Sequence, residues 1–346
     1  MLSIEKRRKK MKYIPVLLIA LILLGSLANG NAYTSTGDIK SARKYAEENL
    51  LPQEGIVGIS HTEKPPKIIV YIENERYRSK VPSNIMGFEV EVVVTGRIQA
   101  LSLLEKPLYT YSGAVSRTGV VRPLSGGISI GVPISSFGGE MAGTLGVVVQ
   151  GPNGNYYILS CAHVLAMDSK ANFLPIGTPT LQPGTYDGGT DADKVGELYN
   201  YIKITFGPKG KNYADAAISI LDTSILTTNE YLPYQVLGND NMTTYTISGT
   251  TEVSVGDTVR KSGRTTGVTE STVTDTSATV KVWYTSGKFA IFYDQILVKQ
   301  PFLDSGDSGS LVDKGGAFVG LGFAGSSTTA VVCKAKYITQ GLGISF

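Results

Sequence analysis

The sequence contains very little cysteine, histidine or tryptophan: its 346 residues include two cysteines, two histidines and one tryptophan. Cys161 and Cys333 can form at most one disulfide bridge, which excludes a disulfide framework. We favour the alternative in which both are buried thiols that pack as small hydrophobic side chains. With so few Cys and His side chains, a zinc or iron site of the usual kind is not expected, and we predict no metal and no cofactor.

The chain also lacks an excess of positive charge once residues 1–32 are set aside. The formal net charge is +3, but residues 1–32 alone carry +5, so the remaining chain carries −2. A basic patch for nucleic acid is therefore not indicated, and we predict no nucleic-acid partner. The composition, with 42% hydrophobic and 18% charged residues, is that of a globular protein with a substantial core.

The N-terminal residues 1–32 have the pattern of a targeting segment. Basic residues precede an apolar stretch, Ile14 to Leu27, and small residues follow it. This order is typical of a secretory signal peptide, and the stretch is short for a membrane span of about 20 residues. We expect a signal peptide, with a retained membrane anchor as the alternative. In both cases the rest of the chain would be secreted or in the cell envelope, with membrane contact only if the segment is retained.

The rest of the chain divides into two parts by its hydrophobic pattern. Residues 33–100 predict a small α+β module: Asp38 precedes a helix to Leu50, and three strand-like runs follow. His61 in this module is interpreted as a surface-loop histidine. Residues 101–125, rich in Gly, Ser and Pro, are predicted to be a linker. Residues 126–346 consist of many short strands with turn signals, including Asn153-Gly154 in a hairpin, and predict an all-β sandwich or a pair of barrels.

Three short segments of the β-rich part carry residues suited to acyl transfer. His163 follows the hairpin in Ser160-Cys161-Ala162-His163, and a histidine there could act as a general base. Asp215 enters the apolar strand Ala216 to Ile220, where a buried carboxylate needs a partner such as an imidazole N–H. Ser308 lies in Gly306-Asp307-Ser308-Gly309-Ser310, where glycines allow a tight turn that exposes a nucleophile.

Together these segments resemble the three motifs of chymotrypsin-like (trypsin-fold) serine proteases, in their order His, Asp, Ser. The segment Lys261-Ser262-Gly263-Arg264-Thr265-Thr266-Gly267 is similar to one in the bacterial α-lytic protease and streptogrisin branch. The resemblance covers residues 126–346. It implies a mainly β fold of two packed six-stranded antiparallel barrels, preceded here by the small α+β module. Ser308 would be the nucleophile, His163 the base and Asp215 the residue that orients it.

The resemblance also implies supporting residues. The amides of Gly306 and Ser308 would form the oxyanion hole, and Asp307 would pair with Arg264. Phe302 lies six residues before the nucleophile, where an acid would indicate a preference for Lys or Arg. With Phe302 there, we expect no such preference, although Asp304 lies nearby. The remaining predicted pocket residues are Ala324 and Gly325.

The chain departs from the family pattern at two further positions. Val164 stands where a cysteine usually follows the histidine. Phe323 stands where a serine usually supports the aspartate, so support for Asp215 must come from another residue.

Two classes of function follow from this interpretation. The first is a secreted or cell-envelope serine endopeptidase that acts on protein or peptide substrates. The alternative is a catalytically silent trypsin-fold binding module, although such relatives usually lose a member of the triad. The module of residues 33–100 could be a removable pro-segment that assists folding or blocks the cleft, or a permanent accessory domain. The sequence indicates neither the substrate nor the oligomeric state.

Overall fold

A computed structural model describes residues 38–101 and 116–346 of the chain. The predicted targeting segment 1–32 and most of the predicted linker 101–125 lie outside these ranges. In the described ranges, no helix combines the length and the hydropathy needed to cross a membrane.

The structure is mainly β. In chain order its helices and strands are α1 (Ile39–Asn49), β1 (Ile56–Glu63), β2 (Pro66–Ile72), β3 (Asn84–Ile85), β4 (Phe88–Val94), β5 (Gln99–Ala100), β6 (Leu124–Gly126), β7 (Ser129–Ile130), α2 (Ile134–Phe137), β8 (Gly143–Thr144), β9 (Val147–Gln150), β10 (Tyr156–Ser160), α3 (Ala162–Leu165), β11 (Pro179–Leu181), β12 (Lys194–Tyr201), β13 (Ala217–Leu221), β14 (Tyr231–Leu237), β15 (Thr244–Thr246), β16 (Thr258–Gly263), β17 (Gly267–Thr285), β18 (Lys288–Lys299), β19 (Leu311–Lys314), β20 (Ala317–Gly325), β21 (Thr329–Lys334) and α4 (Ala335–Leu342).

The C-terminal barrel is a closed ring of six antiparallel strands. Its strands pair in the order β16, β19, β20, β21, β18 and β17, and β17 pairs with β16 to close the ring. Ring closure removes free strand edges, and the side chains that point inward form the core. Val273, Ile296, Val312 and Val332 belong to this core.

The N-terminal barrel is built in the same way. Counting the consecutive strands β8 and β9 as one, six antiparallel strands follow one another: β7, β8–β9, β10, β13, β12 and β11. An antiparallel bridge between Gly131 and Leu181 closes this ring. One apolar cluster, which includes Leu159 and Ile218 of this barrel and Leu311 and Phe323 of the other, spans both. The predicted fold of two six-stranded antiparallel barrels is confirmed.

The N-terminal module continues the sheet of the C-terminal barrel. β1 pairs antiparallel with β17, at Gly58 with Val280 and Ile59 with Thr279, and β2 and β4 extend the sheet outward. The predicted helix is confirmed as α1, whose first turn is capped by the Asp38 side chain, and its buried face packs on β1 and β2.

Several hydrogen bonds also attach the module to strand β17. Arg43 of α1 donates to the carbonyl oxygen of Ser277, and the Tyr71 hydroxyl donates to Asp275 at 2.6 Å. His61 lies on β1, half-buried beside Arg43, so the prediction of a surface loop was wrong there.

The largest departures from the predicted elements lie in the C-terminal half. The hydrophobic pattern predicts only short strands in this region, whereas β17 has 19 residues and forms a long hairpin with β18. β14, β21 and the helix α4 had not been predicted. Alternating hydrophobicity marks a strand but gives little information about where it ends, because a strand that continues out of a barrel changes its neighbours without changing its period.

Candidate active site

His163 is positioned by the rigid β9–β10 hairpin. Asn153 and Gly154 in its turn have φ values of 62° and 75°, the left-handed conformation that Asn and Gly tolerate best. β10 then leads directly into the single helical turn α3, which carries His163. The side chain is only 3% exposed. A short connection between a paired strand and a helical turn leaves little freedom to the imidazole.

Asp215 lies immediately before β13 and is fully buried. One carboxylate oxygen accepts the backbone N–H of His163 at 3.1 Å. The other lies 2.7 Å from the His163 Nδ1 atom. Burial by itself would raise the pKa of Asp215, but the charge of His163 and the hydrogen bonds to the carboxylate outweigh it, so the pKa is lowered. Asp215 is therefore ionised, and since an ionised carboxylate only accepts hydrogen bonds, His163 Nδ1 is the donor in this contact.

Tyr284 supplies a further hydrogen bond to Asp215 that the sequence did not reveal. It lies near the tip of the β17–β18 hairpin, and its hydroxyl donates to Asp215 Oδ2 at 2.7 Å. Its ring meets the His163 ring edge to face, with the centroids 5.9 Å apart. Burial and the Asp215 carboxylate raise the pKa of the Tyr284 phenol well above its usual value, so it keeps its proton and donates. Tyr284 thus takes the supporting role that Phe323 cannot supply.

We expect Tyr284→Phe to lower kcat/KM roughly tenfold, since a hydrogen bond to a charged group contributes about 1.5–3 kcal/mol and Asp215 keeps its two contacts to His163. The pKa of Asp215 should rise, because a hydrogen bond that favours the charged form is lost. Activity would therefore begin to fall at a higher pH on acidification. The measurement is the pH profile of kcat/KM.

Tyr337→Phe is the matched control for this variant. It also removes a 2.6 Å hydrogen bond from a tyrosine to a carboxylate, that of Asp294, away from the triad. The control should leave the profile in place. An unchanged acidic limb in Tyr284→Phe would show that Tyr284 has no positioning role.

Ser308 lies on the predicted tight turn. Gly306 and Gly309 both have φ of 91°, a conformation that side chains with a Cβ rarely adopt. A Cβ at Gly309 would also lie 2.1 Å from the Ser160 hydroxyl, because this turn packs directly against the residues that precede His163. Because Gly309 has no side chain, the turn that carries Ser308 can pack closely against the segment that carries His163.

In this structure Ser308 and His163 do not share a hydrogen bond. Ser308 Oγ donates to the carbonyl oxygen of Phe323 at 3.2 Å. His163 Nε2 is buried and has no hydrogen-bond partner among the described residues. With the ring proton on Nδ1, Nε2 carries the lone pair that can accept a proton. Proton transfer requires that the Ser308 hydroxyl leave the Phe323 carbonyl and donate to His163 Nε2.

The predicted oxyanion donor Gly306 has an acceptor within the chain. Its backbone N–H donates to the carbonyl oxygen of Leu101 at 3.0 Å. Thr144 holds this turn in place: its hydroxyl donates to the Gly306 carbonyl, and its N–H donates to the Ser308 carbonyl, both at 2.8 Å. The contribution of the Ser308 amide to an oxyanion hole stays a prediction.

The predicted pair of Asp307 with Arg264 is wrong. Lys261 Nζ lies 3.3 Å from Asp307 Oδ2, and both side chains are fully buried. Arg264 pairs instead with Asp187. The reason is the alternation of strand β16: Lys261 and Gly263 face the same side, and Asp307 occupies the space that a Cβ of Gly263 would need. Arg264 follows the end of β16, and its guanidinium donates to Asp187 instead.

Asp307 is held by several donors besides Lys261. Its carboxylate accepts the backbone N–H groups of Thr265 at 2.9 Å and Thr266 at 3.1 Å, and that of Asp304 at 3.1 Å. Burial lowers the pKa of Lys261, which Asp307 partly offsets. The turn of residues 306–310, which we call the nucleophile turn, is therefore fixed through the buried Asp307 carboxylate, which accepts hydrogen bonds from two separate segments of the chain.

The four residues predicted for the specificity pocket differ in their positions. Phe302 is buried in the apolar cluster of the C-terminal barrel, and Leu101 packs against that cluster. Ala324 and Gly325 lie at the end of β20, which pairs with β5. Asp304 is exposed, and its carboxylate accepts the N–H of Ser305. Of Phe302 and Asp304, it is therefore Phe302 that belongs to the apolar cluster against which Leu101 packs.

The two cysteines are free, so the disulfide interpretation was wrong and the thiol alternative is confirmed. Cys161, His163 and Asp215 offer atoms within 4.8 Å of one another that could in principle hold a metal ion. Burial raises the pKa of the Cys161 thiol well above its usual value, which disfavours the thiolate that a metal needs. Asp215 already accepts three hydrogen bonds, so this donor set fits a metal poorly.

No protein-family model and no curated protein matches the chain. Among solved structures it is similar to chymotrypsin-like bacterial serine proteases. A glutamic acid specific serine protease that uses a histidine triad in substrate binding is 20% identical, with a TM-score of 0.45, and covers 64% of this chain and 98% of its own. Thermobifida fusca protease A is 16% identical, with a TM-score of 0.45 and coverages of 64% and 96%. Cellulomonas bogoriensis chymotrypsin is 19% identical, with a TM-score of 0.43 and coverages of 64% and 97%. At such identities and TM-scores, function has to be inferred from the geometry of the site.

Proposed function

We propose that the chain is a serine endopeptidase that hydrolyses peptide bonds through an acyl-enzyme on Ser308. His163 Nε2 takes the proton of the serine hydroxyl and later delivers it to the leaving amine. Asp215 holds the imidazole in the tautomer that makes this transfer possible, and Tyr284 holds Asp215. The N–H of Gly306 stabilises the negative charge that develops on the carbonyl oxygen of the substrate.

The observation that carries this proposal is the contact of His163 with Asp215. The 2.7 Å contact of Asp215 with Nδ1 in a fully buried setting fixes the imidazole, and Nε2 has no hydrogen-bond partner among the described residues. A buried polar atom without a partner costs free energy, and such atoms often mark functional positions. An imidazole nitrogen without a partner among the described residues, on a segment that packs against the turn of Ser308, suits a general base, whereas a binding module needs no such arrangement.

We further propose that the enzyme acts outside the cytoplasm, on proteins or peptides. The pattern of residues 1–32, basic, then apolar, then small, supports this location.

The test is covalent labelling of Ser308 with a fluorescent fluorophosphonate, which reacts with an activated serine. The wild-type chain should be labelled at Ser308, and Ser308→Ala should not. Because the carbonyl of Leu101 already lies against Gly306, labelling is also measured in Leu101→Asp, whose charge cannot remain in an apolar pocket.

Ser305→Ala is the matched control, since it makes the same side-chain change three residues away in the same loop. It should be labelled at the wild-type rate. If neither the wild type nor Leu101→Asp reacts, the catalytically silent binding module is the better interpretation.

A further inference from the structure

Residues Gln99 to Leu101 lie in the candidate active site as an extended peptide substrate would. β5 pairs antiparallel with the end of β20, Ala100 opposite Ala324 and Gln99 opposite Gly325. The N–H of Leu101 donates to the carbonyl oxygen of Phe323 at 3.1 Å. Main-chain pairing of this kind holds a peptide in register while its side chains enter pockets on alternate sides.

The carbonyl group of Leu101 is the one presented to the nucleophile turn. Its oxygen accepts the N–H of Gly306 at 3.0 Å, the donor assigned above to the developing oxyanion. Ser308 Oγ donates a hydrogen bond to the carbonyl oxygen of Phe323, and the same oxygen also accepts the N–H of Leu101. The nucleophile and the polarised carbonyl thus belong to one hydrogen-bonded cluster.

The side chain of Leu101 fills an apolar pocket beside this cluster. It packs against the group of buried residues that includes Phe302 and Leu303. Its Cδ1 atom lies 3.5 Å from the position that a Cβ of Gly325 would occupy, so the leucine side chain also lies next to Gly325 at the end of β20. Asp304, the acidic residue nearby in the sequence, is exposed, and its carboxylate accepts the N–H of Ser305.

We propose that the peptide bond after Leu101 is cleaved by the chain's own Ser308, and that the pocket selects leucine or a similar unbranched or γ-branched apolar side chain before the cleaved bond. This inference rests on the proposed protease function. It goes further in naming the bond, the intramolecular course of the reaction and the substrate preference. Residues 38–101 then act as a pro-segment whose last three residues occupy the cleft.

The chemistry balances without any added reagent except water. Ser308 Oγ bonds to the carbonyl carbon of Leu101, and the C–N bond to residue 102 breaks. The hydroxyl proton passes through His163 Nε2 to the amine of residue 102. Water then hydrolyses the ester, leaving a carboxylate on Leu101 and a free serine hydroxyl. The new C-terminus keeps its pairing with β20, because none of the hydrogen bonds of β5 involves the broken bond.

The experiment follows the mass and N-terminal sequence of the purified full chain with time. A new N-terminus Ser102-Leu103-Leu104 should appear in the wild type and not in Ser308→Ala. Its rate should be independent of protein concentration over a hundredfold range, as expected for an intramolecular reaction. Cleavage that accelerates with concentration would overturn the intramolecular course.

Two variants of the leucine test the pocket. Leu101→Met, an apolar exchange of similar volume, should change the rate about tenfold or less. Leu101→Asp should slow cleavage after residue 101 by more than about 100-fold, yet it should still react with the fluorophosphonate at Ser308. Equal rates in both variants would overturn the proposed selectivity.

The outcomes separate this inference from the proposed function. Labelling of Ser308 without cleavage after residue 101, or with cleavage at another bond, leaves the protease and rejects the internal substrate. Absence of labelling in the wild type and in Leu101→Asp rejects the protease and, with it, the internal cleavage.

Discussion

Asp215→Asn is expected to lower kcat/KM about 10⁴-fold while the protein stays folded. The amide can still accept the N–H of His163, which is 3.1 Å from one carboxylate oxygen. At the other position an amide nitrogen facing Nδ1 favours the proton on Nε2, the wrong tautomer for a base. Because the loss concerns proton transfer, kcat should fall far more than KM rises. The measurements are hydrolysis of a peptide with leucine before the cleaved bond, and the rate of fluorophosphonate labelling.

Asp222→Asn is the control for this variant. Asp222 lies just beyond the same strand and also accepts a backbone N–H, that of Ser224 at 3.1 Å, but it does not touch the triad. Its activity should match the wild type. If Asp215→Asn keeps more than about a tenth of the wild-type activity, the assignment of Asp215 to the triad fails.

The second large effect is expected on stability. Lys261→Met should lower the free energy of unfolding by about 3–5 kcal/mol, the usual result of removing one partner of a buried ion pair. Asp307 would keep its hydrogen bonds but lose the cation 3.3 Å away, in a site that water does not reach. The measurement is urea unfolding in the Ser308→Ala background, so that self-cleavage does not interfere.

Two comparisons make this prediction specific. Lys314→Met breaks a partly exposed pair with Asp257 and should cost at most about 1 kcal/mol. The double variant Lys261→Met/Asp307→Asn should lose less than the sum of the single losses, because neither charge is left alone. Additive losses would mean that Lys261 and Asp307 do not stabilise the turn as a pair.

Local sequence patterns were sufficient to predict a β-rich fold and the contact of His163 with Asp215, whereas the two six-stranded barrels followed from the resemblance of the three motifs to a known family. His163 follows a strand and Asp215 precedes one, and both strands can be recognised by their apolar residues. A buried carboxylate also needs a hydrogen-bond partner. The wrong pairing of Asp307 with Arg264 arose because the prediction did not consider which side of strand β16 each residue faces. Lys261 and Gly263 share the face toward Asp307, so counting in steps of two along β16 would have favoured the lysine.

Tyr284 and Leu101 show what such patterns cannot give. Tyr284 is 69 residues from Asp215, and it reaches the carboxylate only because β17 and β18 continue beyond the barrel. Leu101 stands at the start of a predicted linker, after a strand of only two residues. Its hydrogen bonds to Phe323 and Gly306 join parts of the chain more than 200 residues apart, and no local periodicity reports such contacts.

The pairing of β1 with β17 determines the fate of the N-terminal module once the bond after Leu101 is cut. Gly58 and Ile59 lie opposite Val280 and Thr279, so the departing module would leave a row of unpaired backbone N–H and C=O groups on a long strand. Such an edge invites pairing with other chains and aggregation. Breaking one peptide bond does not undo this pairing or the contacts of Arg43 and Tyr71. The severed module should therefore remain bound and cover the edge of β17. If the barrels were released from the module, another part of a protein would have to cover this edge to keep them soluble.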